Sequence, residues 1–190
     1  RNFGVSLSIE RRRIPKEKIL KIPFYPINNK TKFQGFPFNR KGKIVGISGA
    51  NLSKYYGDNK LIYFYIIKEL LNENPEFVFC LCGWGNTKPI LEFIKRYNLQ
   101  ERFYFLGKRT DFYELIENCD ILFESYPLKG GLTVLMATEQ KVPVIGIASY
   151  NNPSGALEDL LEIKDYNQPK NFKEFKLEAT KLIKDAKYRS

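Results

Sequence analysis

The sequence contains no histidine, so the commonest general base and the commonest metal ligand are both missing from it. Cysteine is scarce. Cys80, Cys82 and Cys119 form an odd set without metal-type spacing, and each lies in or beside an apolar run. They read as buried free thiols in a reducing compartment rather than as a disulfide framework, and no metal site is expected. No apolar run approaches the length of a membrane-spanning helix and nothing resembles a signal peptide. A cytoplasmic location is therefore expected, with the inner face of a membrane as the other setting a basic surface allows. Zinc-finger spacing and an arginine-rich recognition helix are absent, which argues against nucleic acid as a partner. The first strand runs into Gly49-Ala50-Asn51-Leu52 rather than a G-x-G-x-x-G turn, and no ribose-binding acid stands at the matching offset. Both facts argue against a Rossmann oxidoreductase.

What is present suits one ordinary globular domain. The 190 residues (22.2 kDa) are 43% apolar and 15% aromatic, enough to bury a core. A chain that begins at Arg1 without a methionine is expected to belong to something longer. The formal net charge of +10 is compatible with an anionic membrane surface, a phosphorylated substrate, or simply a solvated lysine-rich exterior. The run Arg11-Arg12-Arg13 carries the same ambiguity between a solvated face and a peripheral contact with an anionic membrane.

The first 34 residues differ in character from the rest. Residues 14–23 suggest a short helix and one strand, and the Pro/Asn/Lys-rich residues 25–40 read as loop or linker. From Lys43 the pattern is regular. Apolar runs predict strands over residues 43–48, 77–82, 103–106, 120–123 and 143–147. Between them, helices are predicted over 61–71, over a segment with Ile90, Leu91, Ile94 and Tyr97 on one face, from a cap at Thr110 or Asp111 to 118, and over 132–140. Further helices are predicted over 155–161 and 171–187. Alternating β and α segments with continuous apolar strands define an α/β fold with an open, doubly wound parallel sheet. Such sheets bind ligands at the carboxyl ends of their strands, which gathers residues 48–51, 83–85, 107–109 and 126–133 on one rim.

The most informative stretch is residues 120–147, a strand–loop–helix–strand unit with a right-handed crossover by default. Gly130, Gly131 and Thr133 stand where its helix begins. Bare backbone amides at the positive end of a helix dipole suit a phosphate. The same glycines would also serve an ordinary tight turn.

Taken together, residues 14–187 resemble the C-terminal, nucleotide-sugar-binding lobe of two-lobed (GT-B) glycosyltransferases of the glycosyl transferases group 1 kind. The strongest match is Gly131-Leu132-Thr133-Val134-Leu135-Met136-Ala137, followed by Val142-Pro143-Val144-Ile145. Supporting pieces are Gly83-Trp84-Gly85, residues 105–111 and Asp120-Ile121-Leu122-Phe123. The resemblance implies that residues 1–40 are an interlobe segment and linker, and residues 41–190 the Rossmann-like donor-binding domain. It implies a nucleoside-diphosphate sugar, UDP-type, as donor substrate with no separate cofactor, and an N-terminal lobe as partner. A setting in cell-surface polysaccharide or glycolipid synthesis follows the same analogy.

Residue by residue, Gly130, Gly131, Leu132 and Thr133 would hold the diphosphate, with Lys129 as an added charge or a solvated one. Lys108 and Arg109 would meet the base. Gly49, Ala50 and Asn51 would let the other side of the cleft approach, with Lys54 and Lys60 as candidate cations there. Trp84 would stack on a ring or, more simply, pack in the core. Retaining members carry two glutamates eight positions apart; Leu128 and Met136 occupy those places here. That departure leaves no assignable catalytic residue. It also admits a second reading, a non-catalytic glycosyltransferase-like subunit that serves a binding partner.

Overall fold

The structure, a computed structural model, describes residues 31–57, 61–148 and 168–190. The expected helix and strand within residues 14–23, the helix over 155–161 and Lys60 lie outside the described residues.

Five strands form one parallel sheet: β1 (Ile44–Asn51), β2 (Phe77–Trp84), β3 (Phe103–Gly107), β4 (Ile121–Phe123) and β5 (Val144–Ile145). Their spatial order is β3-β2-β1-β4-β5, every neighbouring pair parallel. The chain therefore winds outward from β1 to β3, then returns to the other side of β1. The carboxyl ends of β1 and β4 flank the point of reversal, where open α/β sheets leave a crevice.

Helices cover both faces, as the continuous apolar strands require. On one face α1 (Ile62–Glu73), α2 (Lys88–Arg96) and α5 (Phe172–Lys184) enclose an aromatic-rich cluster around Phe64, Phe79, Phe103, Phe123 and Phe175. On the other, α3 (Phe112–Glu117) and α4 (Gly131–Glu139) close over Val45, Val78, Cys80 and Leu122. A last short helix, α6 (Ala186–Arg189), follows α5. Cys80, Cys82 and Cys119 are free and buried, the state expected of them, and burial pushes the Cys82 thiol up to about 12.

Three local expectations need correction. The buried face of α2 carries Ile90, Phe93 and Ile94, while Leu91 is exposed, because a stripe at i, i+3 and i+4 excludes i+1. Asp111 stands at the start of α3 but caps nothing. Its carboxylate accepts instead from Arg109 Nε (2.7 Å), Arg109 Nη2 (2.6 Å) and the Gln34 amide (2.7 Å). Residues 31–40 hold no helix or strand, yet they are docked. Thr31 donates to Glu114 from its amide (2.5 Å) and hydroxyl (2.9 Å), and Phe36, Phe38 and Tyr104 stack in succession.

Candidate functional site

At the switch point lies a cavity of about 530 Å³. Its lining includes all nine residues expected to contact a ligand: Gly49, Ala50 and Asn51 from the end of β1, Lys108 and Arg109 after β3, and Gly130, Gly131, Leu132 and Thr133 at the head of α4. Lys54, Cys82, Gly83, Trp84, Phe112 and Met136 complete it.

The head of α4 is the polar end. Gly130 is the residue before the helix, with extended backbone (φ −125°), so nothing in its conformation demands glycine. Nor does packing. A side-chain methyl built there would meet Thr133 Oγ1 at 3.5 Å, Lys54 Nζ at 3.6 Å and Ser125 Oγ at 3.9 Å, all ordinary contacts. The absent side chain leaves open a notch ringed by a cation and two hydroxyls. The amides of the first helical turn have no intrahelical partner there.

Lys54 reaches this notch from the far side of the cleft. It lies just beyond β1 in the 3₁₀ turn Leu52–Tyr55, which Asn51 caps by accepting from the Ser53 amide at 3.0 Å. The Lys54 ammonium donates to the Lys129 carbonyl (3.1 Å), and partial burial pulls it below the ordinary lysine range. Of the two lysines proposed for this side, Lys54 lines the cavity, and Lys60 lies outside the described residues.

Several expected roles change in three dimensions. Lys129 is neither solvated nor aimed at the cavity. Its side chain is 5% exposed, 3.5 Å from the Glu124 carboxylate, and donates to Gln168 Oε1 at 2.6 Å. Gly146 makes room for that carboxylate, because a methyl group there would collide with it. Thr133 donates its hydroxyl proton to the Gly130 carbonyl (2.9 Å), so the hydroxyl shapes the loop. Arg109 lines the cavity, but its guanidinium is committed to Asp111 and to the Gly35 carbonyl (3.2 Å). The Arg109 pair first, then the Gln34 amide, hold Asp111 below the usual carboxylate range. Lys108 is exposed on the rim. Gly49 lacks a side chain because the Phe112 ring occupies that space. Trp84 is not in the core; it is 55% exposed at the mouth.

Glu124, Ser125 and Gln168, which support the glycine loop from below, were not singled out in the sequence. A lone acid directly after an apolar strand was the available signal for Glu124; nothing local marks Gln168.

An open parallel sheet, wound in two directions, with a glycine-headed helix and a cation at its switch point, defines a Rossmann-like lobe of the GT-B type. The chain belongs to the family Glycosyl transferases group 1, whose sequence profile matches residues 28–190. No curated protein matches the sequence. Similar solved structures include a mutant of the Thermobaculum terrenum O-GlcNAc transferase, with TM-score 0.64 and 18% identity over 78% of this chain and 30% of that one. Another is Anabaena Alr3699/HepE in complex with UDP-glucose, with TM-score 0.58 and 21% identity over 77% of this chain and 40% of that one. A third is a putative UDP-N-acetylglucosamine 2-epimerase from Listeria monocytogenes, with TM-score 0.64 and 12% identity over 84% of this chain and 42% of that one. The chain thus spans between 30% and 42% of the length of these proteins. Among the described residues, no helix is long and apolar enough to cross a membrane.

Proposed function

We propose that the chain is the donor-binding lobe of a glycosyltransferase that moves a sugar from a nucleoside-diphosphate sugar, of UDP type, to an acceptor hydroxyl. The observation that carries this reading is the open notch at Gly130, glycine by neither conformation nor packing, with Lys54 Nζ and the head of α4 on its walls. Family membership and neighbours such as HepE, solved with UDP-glucose, support it.

The residues divide the work by position. The amides of Gly131, Leu132 and Thr133 face an anion with the positive end of the helix dipole behind them. Lys54 adds a charge from across the cleft; partial burial disfavours that charge on its own, and an anion placed beside it favours it again. As the bond between sugar and diphosphate breaks, negative charge grows on the leaving phosphate oxygen. Donors already fixed there stabilise that charge without reorganising. The Lys129–Glu124 pair and the Thr133–Gly130 hydrogen bond hold the loop in place for it. Gly49, Ala50 and Asn51 form the opposite lip, and Lys108 and Arg109 the wall beyond β3. The acceptor enters from the second lobe, which closes the cleft and supplies the group that activates its hydroxyl.

A second reading is favoured by one specific feature. Leu128 is exposed and Met136 lines the cavity at the two places where retaining relatives place carboxylates. A lobe without them suits a non-catalytic subunit that keeps the fold for a protein partner. Amide chemical shifts during titration with UDP separate the two. Donor binding moves residues 130–133 and 54 first; no shift at millimolar UDP would favour the non-catalytic subunit.

A further inference from the structure

We propose that Trp84 is the platform on which the nucleobase of the donor stacks; this rests on the donor-binding reading above. The seven residues before it in β2 are all buried, and the strand then ends in an indole that is 55% exposed at the cavity mouth. Among the described residues no other ring packs against it. The backbone beneath it is nevertheless held on both sides. Trp84 pairs in register with Asn51, and Gly83 lies so close to the Ala50 carbonyl that no side chain fits between them. Beyond it, Gly85 takes a φ of 121° and the Tyr56 hydroxyl donates to the Asn86 carbonyl, tying the turn to the loop after β1. A rigidly mounted, unpartnered aromatic face at a cavity mouth is a stacking surface waiting for a flat ring.

Its position fits a base rather than a phosphate. The notch at Gly130 follows β4 and Trp84 ends β2, with β1 between them. Two strand spacings put these points roughly 10 Å apart, the scale on which a ribose separates a diphosphate from its base. The intervening floor is Gly49 and Ala50 at the end of β1, with the flat Phe112 ring packed over Gly49, and neither β1 residue carries more than a methyl group. A nucleotide laid from notch to rim therefore brings its base against the indole.

Trp84 is the only tryptophan in the chain, so its fluorescence reports on itself. UDP is expected to quench it, while inorganic pyrophosphate binds at the notch without doing so. By calorimetry, Trp84→Ala should weaken UDP binding by about tenfold and leave pyrophosphate binding unchanged, with Trp84→Phe restoring most of the loss. Unchanged UDP affinity in Trp84→Ala would overturn the proposal and assign the indole to a protein contact. Equal losses for UDP and pyrophosphate would overturn it as well, since the change would then be a general distortion. If the unmodified protein binds neither ligand, the donor-binding reading itself fails, and the stacking role with it.

Discussion

The Lys129–Glu124 pair offers the most demanding test of how the glycine loop is supported. Both side chains are almost fully buried, at 5% and 1% exposure, and Lys129 also donates to the buried Gln168. Replacing Lys129 with methionine keeps the length and apolar stem but removes the charge beside Glu124 and the donor to Gln168. Deleting one member of a buried pair typically costs about 3–5 kcal/mol. That is a large share of the roughly 5–15 kcal/mol that holds a domain together. At about 2–4 °C per kcal/mol for a chain of this size, the melting temperature should fall by about 10 °C. The double variant Glu124→Gln/Lys129→Met removes both charges and should recover most of that loss, because desolvation of the two ions disappears together with their attraction. Urea denaturation followed by far-ultraviolet circular dichroism measures both variants against the unmodified protein. If the single change costs less than about 1 kcal/mol, the pair behaves like a solvated surface contact, and the buried tether does not exist.

Lys141, just past the Gln140 cap of α4, has φ +58°, a left-handed conformation that a side chain resists, so Lys141→Gly is expected to stabilise the protein by about 1 kcal/mol; a lower melting temperature would contradict this. Thr133→Val removes the hydrogen bond to Gly130, and should cost on the order of 1 kcal/mol of stability together with about tenfold in UDP affinity through the loosened loop. If the Thr133→Val variant melts lower but binds UDP normally, the hydroxyl plays no part in supporting the site. Asp111 is held below the usual carboxylate range by Arg109, so its contribution to stability is present above the unfolded value of about 4 and is lost as pH falls through its lower folded value. Asp111→Asn should therefore melt lower near neutral pH and lose less stability on acidification, as melting curves between neutral and acid pH will show; an unchanged acid slope would refute the assignment.

The fold was legible in the sequence because local pattern carries it. The run Phe77-Val78-Phe79-Cys80-Leu81-Cys82 has no polar face, and only a strand covered on both sides accommodates that. Alternation with helices then makes the sheet parallel, and a parallel doubly wound sheet brings its loops to one rim, which is why the nine expected residues line one cavity. The resemblance to glycosyltransferases rested on the same contiguous stretches. Periodicity, however, says which residues are covered, not by what. Lys129 meets Gln168 across 39 positions and Lys54 meets the Lys129 carbonyl across 75, so neither residue's role could be read nearby in the chain. The folded chain turned Lys129 inward, brought Lys54 to the notch, committed Arg109 to Asp111 and placed the Phe112 ring over Gly49. It also left Trp84 at the rim, where an apolar residue at the end of an apolar strand had suggested core. Burial of a strand's last residue depends on whether a neighbouring layer extends over it, and among the described residues none does so for Trp84.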